Sequence, residues 1–224
     1  MAQRQTAMVI GASRGIGLGL AREFAARGWR VVASERSDSP ALHELARQSG
    51  VEIVKADLTD RAGIAALASA TPSASLDALL VNAGVYDARS VDEAGDEDIL
   101  AIMLANAAGP VRAARALLPA VRDGGTLAFT TSLMGSIADS SGGAELYRMS
   151  KAAQNMLARG LFVTEAQGRA IAVLSLHPGW VKTDMGGQDA PRTPEQGASI
   201  IIKLATMDDP PTGKYLNEER EFDW

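Results

Sequence analysis

Short β-branched and apolar runs alternate with alanine-rich stretches of helical periodicity along this 224-residue chain. That rhythm predicts strands over 7–10, 31–34, 52–56, 78–82, 126–131, 171–176 and 213–216. Helices are expected over 15–27, 41–48, 60–68, 96–121, 144–165 and 194–206. Strands and helices in strict alternation give parallel pairing through crossover helices. The runs around Leu79, Leu127 and Val173 are apolar on both alternating faces, as required when helices cover both sides of the sheet. The expectation is an α/β fold, a doubly wound parallel sheet of about seven strands in a single domain spanning 1–224. No repeat, low-complexity tract or linker divides it.

Composition narrows the chemistry. The chain has no cysteine and two histidines, His43 and His177, which excludes thiolate metal sites and leaves too few ligands for a zinc centre. The net charge of -5 comes without a basic cluster, so neither nucleic acid nor an anionic membrane surface is an expected partner. The opening residues contain no run apolar enough for a secretory signal, and no stretch reaches the roughly 20 residues of a membrane span. A cytoplasmic protein without metal is expected.

Two groups of residues carry chemistry. Gly11, Ser13, Arg14, Gly15, Ile16 and Gly17 follow the first strand and open the first helix; glycines there let backbone amides approach a pyrophosphate at the positive end of the helix dipole. Glu35, 18 residues beyond Gly17 at the end of the second strand, stands near the place of an acid that holds a ribose 2'-hydroxyl, which favours NAD(H). Arg36 and Arg14 offer planar donors to a 2'-phosphate, which favours NADP(H). The two cations outnumber the one carboxylate, and NADP(H) is the expected cofactor, with NAD(H) the alternative. In the second group, Tyr147 and Lys151 stand four residues apart on one helix face.

These segments occur together with Asp57-Leu58, Asn82-Ala83-Gly84, Asn106, Ser132 and Pro178-Gly179, each after or within the expected element. The set resembles the short-chain dehydrogenase/reductase family over almost the whole chain, and SLMGSI, YRMSKAA and LHPGWVKTDMGG are similar to its carbonyl reductase/C-factor subgroup. The resemblance implies a Rossmann-type fold and a catalytic set of Asn106, Ser132, Tyr147 and Lys151. Tyr147 would give a proton to a substrate carbonyl oxygen and Ser132 would give it a hydrogen bond. A nearby ammonium would lower the phenol's pKa, making it usable as acid and base near neutral pH. Lys151 would also hold the nicotinamide ribose, and Asn106 would position a relay water or, alternatively, satisfy buried backbone groups. Asp57 and Leu58 are expected at the adenine, Asn82, Ala83 and Gly84 on the cofactor floor, and Pro178, Gly179, Val181 and Thr183 at the carboxamide. Ser132, Leu133, Met134, Tyr147, Trp180 and Met185 are expected to wall a mostly apolar substrate pocket, with core packing the alternative for Trp180 and Met185. His177 is read as structural.

Three departures stand against the family pattern. Ile10 replaces a common threonine, Val81 replaces a first asparagine, and Ser132 lies 15 residues before Tyr147, a wide spacing that Gly142-Gly143 would absorb. The expected substrate is a small-molecule carbonyl compound or alcohol. Two further readings stay open: an NAD-dependent alcohol dehydrogenase, and a dinucleotide-binding signalling protein. A homodimer through the helices at 96–121 and 144–165 is an expectation from the resemblance alone.

Overall fold

The computed structural model describes residues 4–224. Seven strands form one sheet in the order β3-β2-β1-β4-β5-β6-β7. They are β1 (Thr6–Ile10), β2 (Arg30–Glu35), β3 (Glu52–Lys55), β4 (Leu76–Val81), β5 (Val121–Thr130), β6 (Ala172–Leu176) and β7 (Lys214–Leu216). Every pairing is parallel, as the all-apolar runs require. The helices are α1 (Gly15–Ala26), α2 (Pro40–Ser49), α3 (Arg61–Ala70), α4 (Asp96–Met103), α5 (Gly109–Leu117), α6 (Glu145–Leu161) and α7 (Pro194–Ala205).

Strand alternation divides the core in two. Met8, Ile10, Leu79, Val81, Leu127 and Phe129 face α3, α5 and α6, while Ala7, Val9, Val31, Ala33, Leu80 and Leu174 face α1, α2 and α7. Successive side chains on a strand point to opposite faces, so each strand serves both cores. The order in which strands are added reverses between β1 and β4, the neighbours from which β2 and β5 lead outward to opposite edges. In such sheets ligands bind beyond the carboxyl ends of the strands at this switch point. Among the described residues no helix is long and apolar enough to cross a membrane.

Local chemistry sets the helix starts. Ser39, Asp60 and Thr193 accept hydrogen bonds from first-turn amides of α2, α3 and α7, satisfying donors that have no partner within the helix. The helix expected over 96–121 is corrected: after α4 the backbone widens into a π turn at Leu104–Ala108, continues as α5, tightens at Leu118–Ala120 and enters β5 at Val121. The helix expected to run to 165 likewise ends as a π turn at Phe162–Ala166.

Candidate active site

Above the carboxyl ends of β1, β4, β5 and β6 lies one cavity of about 970 Å³. Of the catalytic, cofactor and substrate residues expected from the sequence, all line it except Gly17, Glu35 and Asn106.

At one end the chain leaves β1 through Gly11, whose φ is +83° and whose place a Cβ would bring within 2.8 Å of Ala83; a side chain fits neither the conformation nor the space. The Gly11 amide donates to Ser34 Oγ at 2.9 Å and its carbonyl accepts from Asn82 Nδ2 at 3.1 Å. α1 then begins with no side-chain cap and no acidic residue in its first turn, so its positive end is left to an anion. Gly17 sits below this turn, where a Cβ would meet the Gly11 carbonyl.

Glu35 departs from its expected role. Its carboxylate is turned away from the cavity and buried, accepting from the Ser39 amide at 2.8 Å and lying 3.0 Å from His43 Nε2 and 3.1 Å from Lys55 Nζ. Burial alone would raise its pKa, but the bonds from His43, Lys55 and Ser39 outweigh it and hold the carboxyl below its ordinary range. Donor atoms of Glu35, Asp38 and His43 lie within 4.8 Å of one another, with the Lys55 ammonium paired to both carboxylates. Ser34 and Arg36, on either side of Glu35, are the residues that face the cavity. Ser39 links this corner to the glycine turn by donating to Ser13 O at 2.6 Å. Arg14, the other expected phosphate cation, pairs with Asp184 at 2.6 Å, joining the glycine turn to the segment after β6.

At the other end stand Ser132, Tyr147 and Lys151. Ser132 follows β5, and Tyr147 and Lys151 lie in the first two turns of α6, both buried. The Lys151 ammonium donates to Thr130 O at 3.1 Å and Gln154 Oε1 at 3.0 Å, and stands 5.8 Å from the centre of the Tyr147 ring. Burial raises the Tyr147 phenol to about 12, against an opposing hydrogen bond with Ser132. Burial also lowers Lys151 to about 8.

Asn106 lies in the π turn, fully buried. Its Oδ1 accepts from Val85 N at 2.7 Å, and its Nδ2 donates to Val85 O at 2.8 Å and Ser150 Oγ at 2.9 Å. Ser150 in turn donates to the Tyr147 carbonyl at 2.8 Å. Of the two roles expected for it, the one visible here is a buried amide that fastens the β4 exit to α6.

The substrate side holds Leu133, Met134, Trp180 and Met185. Trp180 is 56% and Met185 39% exposed, so core packing does not account for them; Trp180 Nε1 donates to Gly186 O at 2.8 Å, which fixes the indole. Tyr86 belongs here too and escaped the sequence reading: its ring meets that of Tyr147 edge-on at 5.0 Å, and Val85 lines the wall beside it. Its place two residues beyond Gly84, in the loop leaving β4, was the available signal. His177 also lines the cavity; its Nδ1 is buried without a protein partner, and its ring packs on Phe222 at 6.0 Å. Behind Ser132, the buried Tyr215 hydroxyl of β7 donates to the Ser132 carbonyl at 2.5 Å.

Comparison with known proteins gives the same fold and the same order of parts. A family model described as short chain dehydrogenase matches residues 5–193. Over 97% of this chain and 98% of its own length, the 1-hydroxy-2-glutathionyl-2-methyl-3-butene dehydrogenase of Rhodococcus sp. (strain AD45) is 33% identical. The C-signal protein of Myxococcus xanthus is 43% identical over 51% of this chain and 71% of its own. Among solved structures, a short-chain dehydrogenase/reductase from Burkholderia multivorans with bound NADP superposes with a TM-score of 0.93 at 34% identity, covering 99% of this chain and all of that one. A carbonyl reductase from Pseudomonas aeruginosa PAO1 in complex with NADP gives 0.86 at 35% identity, over 99% of this chain and all of the other. With a glycine turn at the switch point and a tyrosine and lysine on the helix after β5, matched end to end by such relatives, the chain belongs to the short-chain dehydrogenase/reductase family of oxidoreductases.

Proposed function

We propose that this protein is an NADP(H)-dependent carbonyl reductase acting on an apolar ketone, aldehyde or quinone of small or medium size. The dinucleotide, when bound, supplies the hydride. The residues fit such a group: the uncapped start of α1 offers amides to a pyrophosphate, and Asp57, Leu58, Asn82, Ala83 and Gly84 line the floor between its two ends. Arg36 faces the adenosine end with the neighbouring carboxylate turned away, and this supports a 2'-phosphate over a bare ribose. NADP and NADPH are bound by similar solved structures. Lys151 would hold the nicotinamide ribose and Pro178, Gly179, Val181 and Thr183 would meet the carboxamide, a reading supported by their all lining the cavity.

The observation that carries this reading is the meeting of Ser132, Tyr147 and Lys151 on one wall of the cavity, beside the apolar side chains of the substrate side. Reduction builds negative charge on the substrate oxygen. Tyr147 gives that oxygen a proton, and Ser132 stabilises the charge where it is largest, in the transition state. Tyr86, Trp180, Leu133 and Met134 shed water around the reacting carbon and favour an apolar substrate.

Steady-state oxidation of NADPH and NADH against a carbonyl panel tests the proposal, with Tyr147→Phe beside the unaltered protein. Turnover with NADPH that falls on the order of 10²- to 10⁴-fold in the variant, with cofactor binding retained, is the expected result. The likeness to C-signal favours a second reading, a protein that binds dinucleotide without turnover. Binding of NADPH by both proteins with no carbonyl consumed by either would put that reading first.

A further inference from the structure

Two charged side chains among the described residues are almost wholly buried, Glu35 and Lys151. Glu35 is matched by a cation. Lys151 is not: its ammonium meets two neutral oxygens, the Thr130 carbonyl at 3.1 Å and Gln154 Oε1 at 3.0 Å. Gln154 follows one turn later on the same face of α6 and has no exposed surface. Its Nε2 is buried without a hydrogen-bond partner in the protein. A buried amide that uses its oxygen and leaves its N–H groups unpaired is costly, and an apolar side chain of that length would fill the space without the cost. What the amide adds is the acceptor facing Lys151.

We propose that Gln154 is a positioning residue for Lys151: its amide oxygen fixes the ammonium on the cavity wall, favours the charged form, and so sets the pH above which the lysine ceases to serve the reaction. The inference rests on the role given to Lys151 under the proposed function. An acceptor bonded to a cation raises its pKa, so removing Gln154 Oε1 lowers it. The other groups facing Lys151 are neutral at pH 7. They are Tyr147 on α6, the Thr130 carbonyl of β5, and Gly84 after β4, whose place a Cβ would bring to 3.5 Å from Nζ and 3.2 Å from Asn106 Oδ1. Burial holds Lys151 down to about 8, so a further fall on losing the Gln154 acceptor brings its charge loss into the neutral range.

The chain has five lysines, few enough to follow Lys151 by NMR of the ligand-free protein carrying ¹³Cε-lysine, assigned with Lys151→Arg. Gln154→Leu is expected to lower the Lys151 midpoint by about one pH unit, a ten-fold change in its protonation equilibrium, and Gln154→Glu to raise it. The alkaline limb of kcat/KM for NADPH-dependent reduction moves with the midpoint, while the thermal midpoint of Gln154→Leu stays at or above that of the unaltered protein. Gln154→Met, nearer in shape, repeats the removal of the oxygen should the leucine variant not fold. An unmoved Lys151 midpoint in the apolar variants, or lost stability with an unmoved pH profile, reduces Gln154 to packing and ends the proposal. A shifted midpoint in a protein that reduces no carbonyl upholds the Gln154–Lys151 coupling and strikes down the reductase reading instead.

Discussion

Glu35 shows how a residue's position and its orientation carry different information. Its distance from the glycine turn was legible in the sequence; the direction of its carboxylate depended on strand parity. Ala33, in register with Glu35, packs into the core beneath α1, α2 and α7, and Glu35 points to that same side, toward Ser39 and His43 of the α2 start. Ser34 and Arg36 have the opposite parity and reach the cavity. Replacing Glu35 with Gln therefore belongs to stability: the thermal midpoint falls, and the ratio of kcat/KM for NADPH over NADH stays within a few-fold. A ten-fold change in that ratio would return Glu35 to the ribose. Arg36→Ala behaves in the opposite way, cutting kcat/KM with NADPH on the order of ten- to a hundred-fold, the loss of hydrogen bonds to a charged group, and leaving NADH nearly untouched. Tyr147 teaches the same lesson from the other side. Its spacing from Lys151 was readable, whereas the outcome of burial against a nearby cation required knowing that both groups are enclosed.

At the scale of elements, the sequence located strands and helix starts well because caps and turn glycines are local signals. The stretch from 96 to 121 was read as one helix because its alanines and leucines keep helical spacing throughout. Gly109-Pro110 and Pro119 were the breaks it contained: proline opens α5 and sits in the tight turn before β5. The π turn itself has no residue signature. It stands where Asn106 gives every polar atom of its amide to Val85 and Ser150, and π turns recur at functional sites for such reasons. Asn106→Ala leaves the Val85 amide and carbonyl without these partners. The expected cost is roughly 2–4 kcal/mol in chemical denaturation, together with a fall in kcat, since Ser150 and the Tyr147 carbonyl lose their anchor. Reduced kcat at unchanged stability would assign Asn106 to the reaction alone.

For the whole molecule, pH is the sensitive variable. His177 lies half-buried between the cavity and Phe222, and burial, aided by the Arg192 charge, lowers its pKa from 6.5 to about 4. The folded chain keeps the imidazole neutral where the unfolded chain takes a proton, so stability is lost as pH falls from about 6.5 toward 4. In the limit the difference is roughly 3 kcal/mol. Thermal midpoints of the unaltered protein and His177→Asn, measured across that range, should converge as the medium becomes acid; parallel curves would show that the imidazole already titrates freely. The parallel sheet was legible from its apolar runs, but not the meeting of residues far apart along the chain, such as Arg14 with Asp184 or Tyr215 with Ser132.

The last of these contacts ties the segment after β5 to the far edge of the sheet. Ser132 follows β5, yet its carbonyl is bonded by a hydroxyl 83 residues further along, on the last strand. Trimming the chain before β7 would therefore leave every expected catalytic side chain in place and remove the bond that fixes the backbone of one of them.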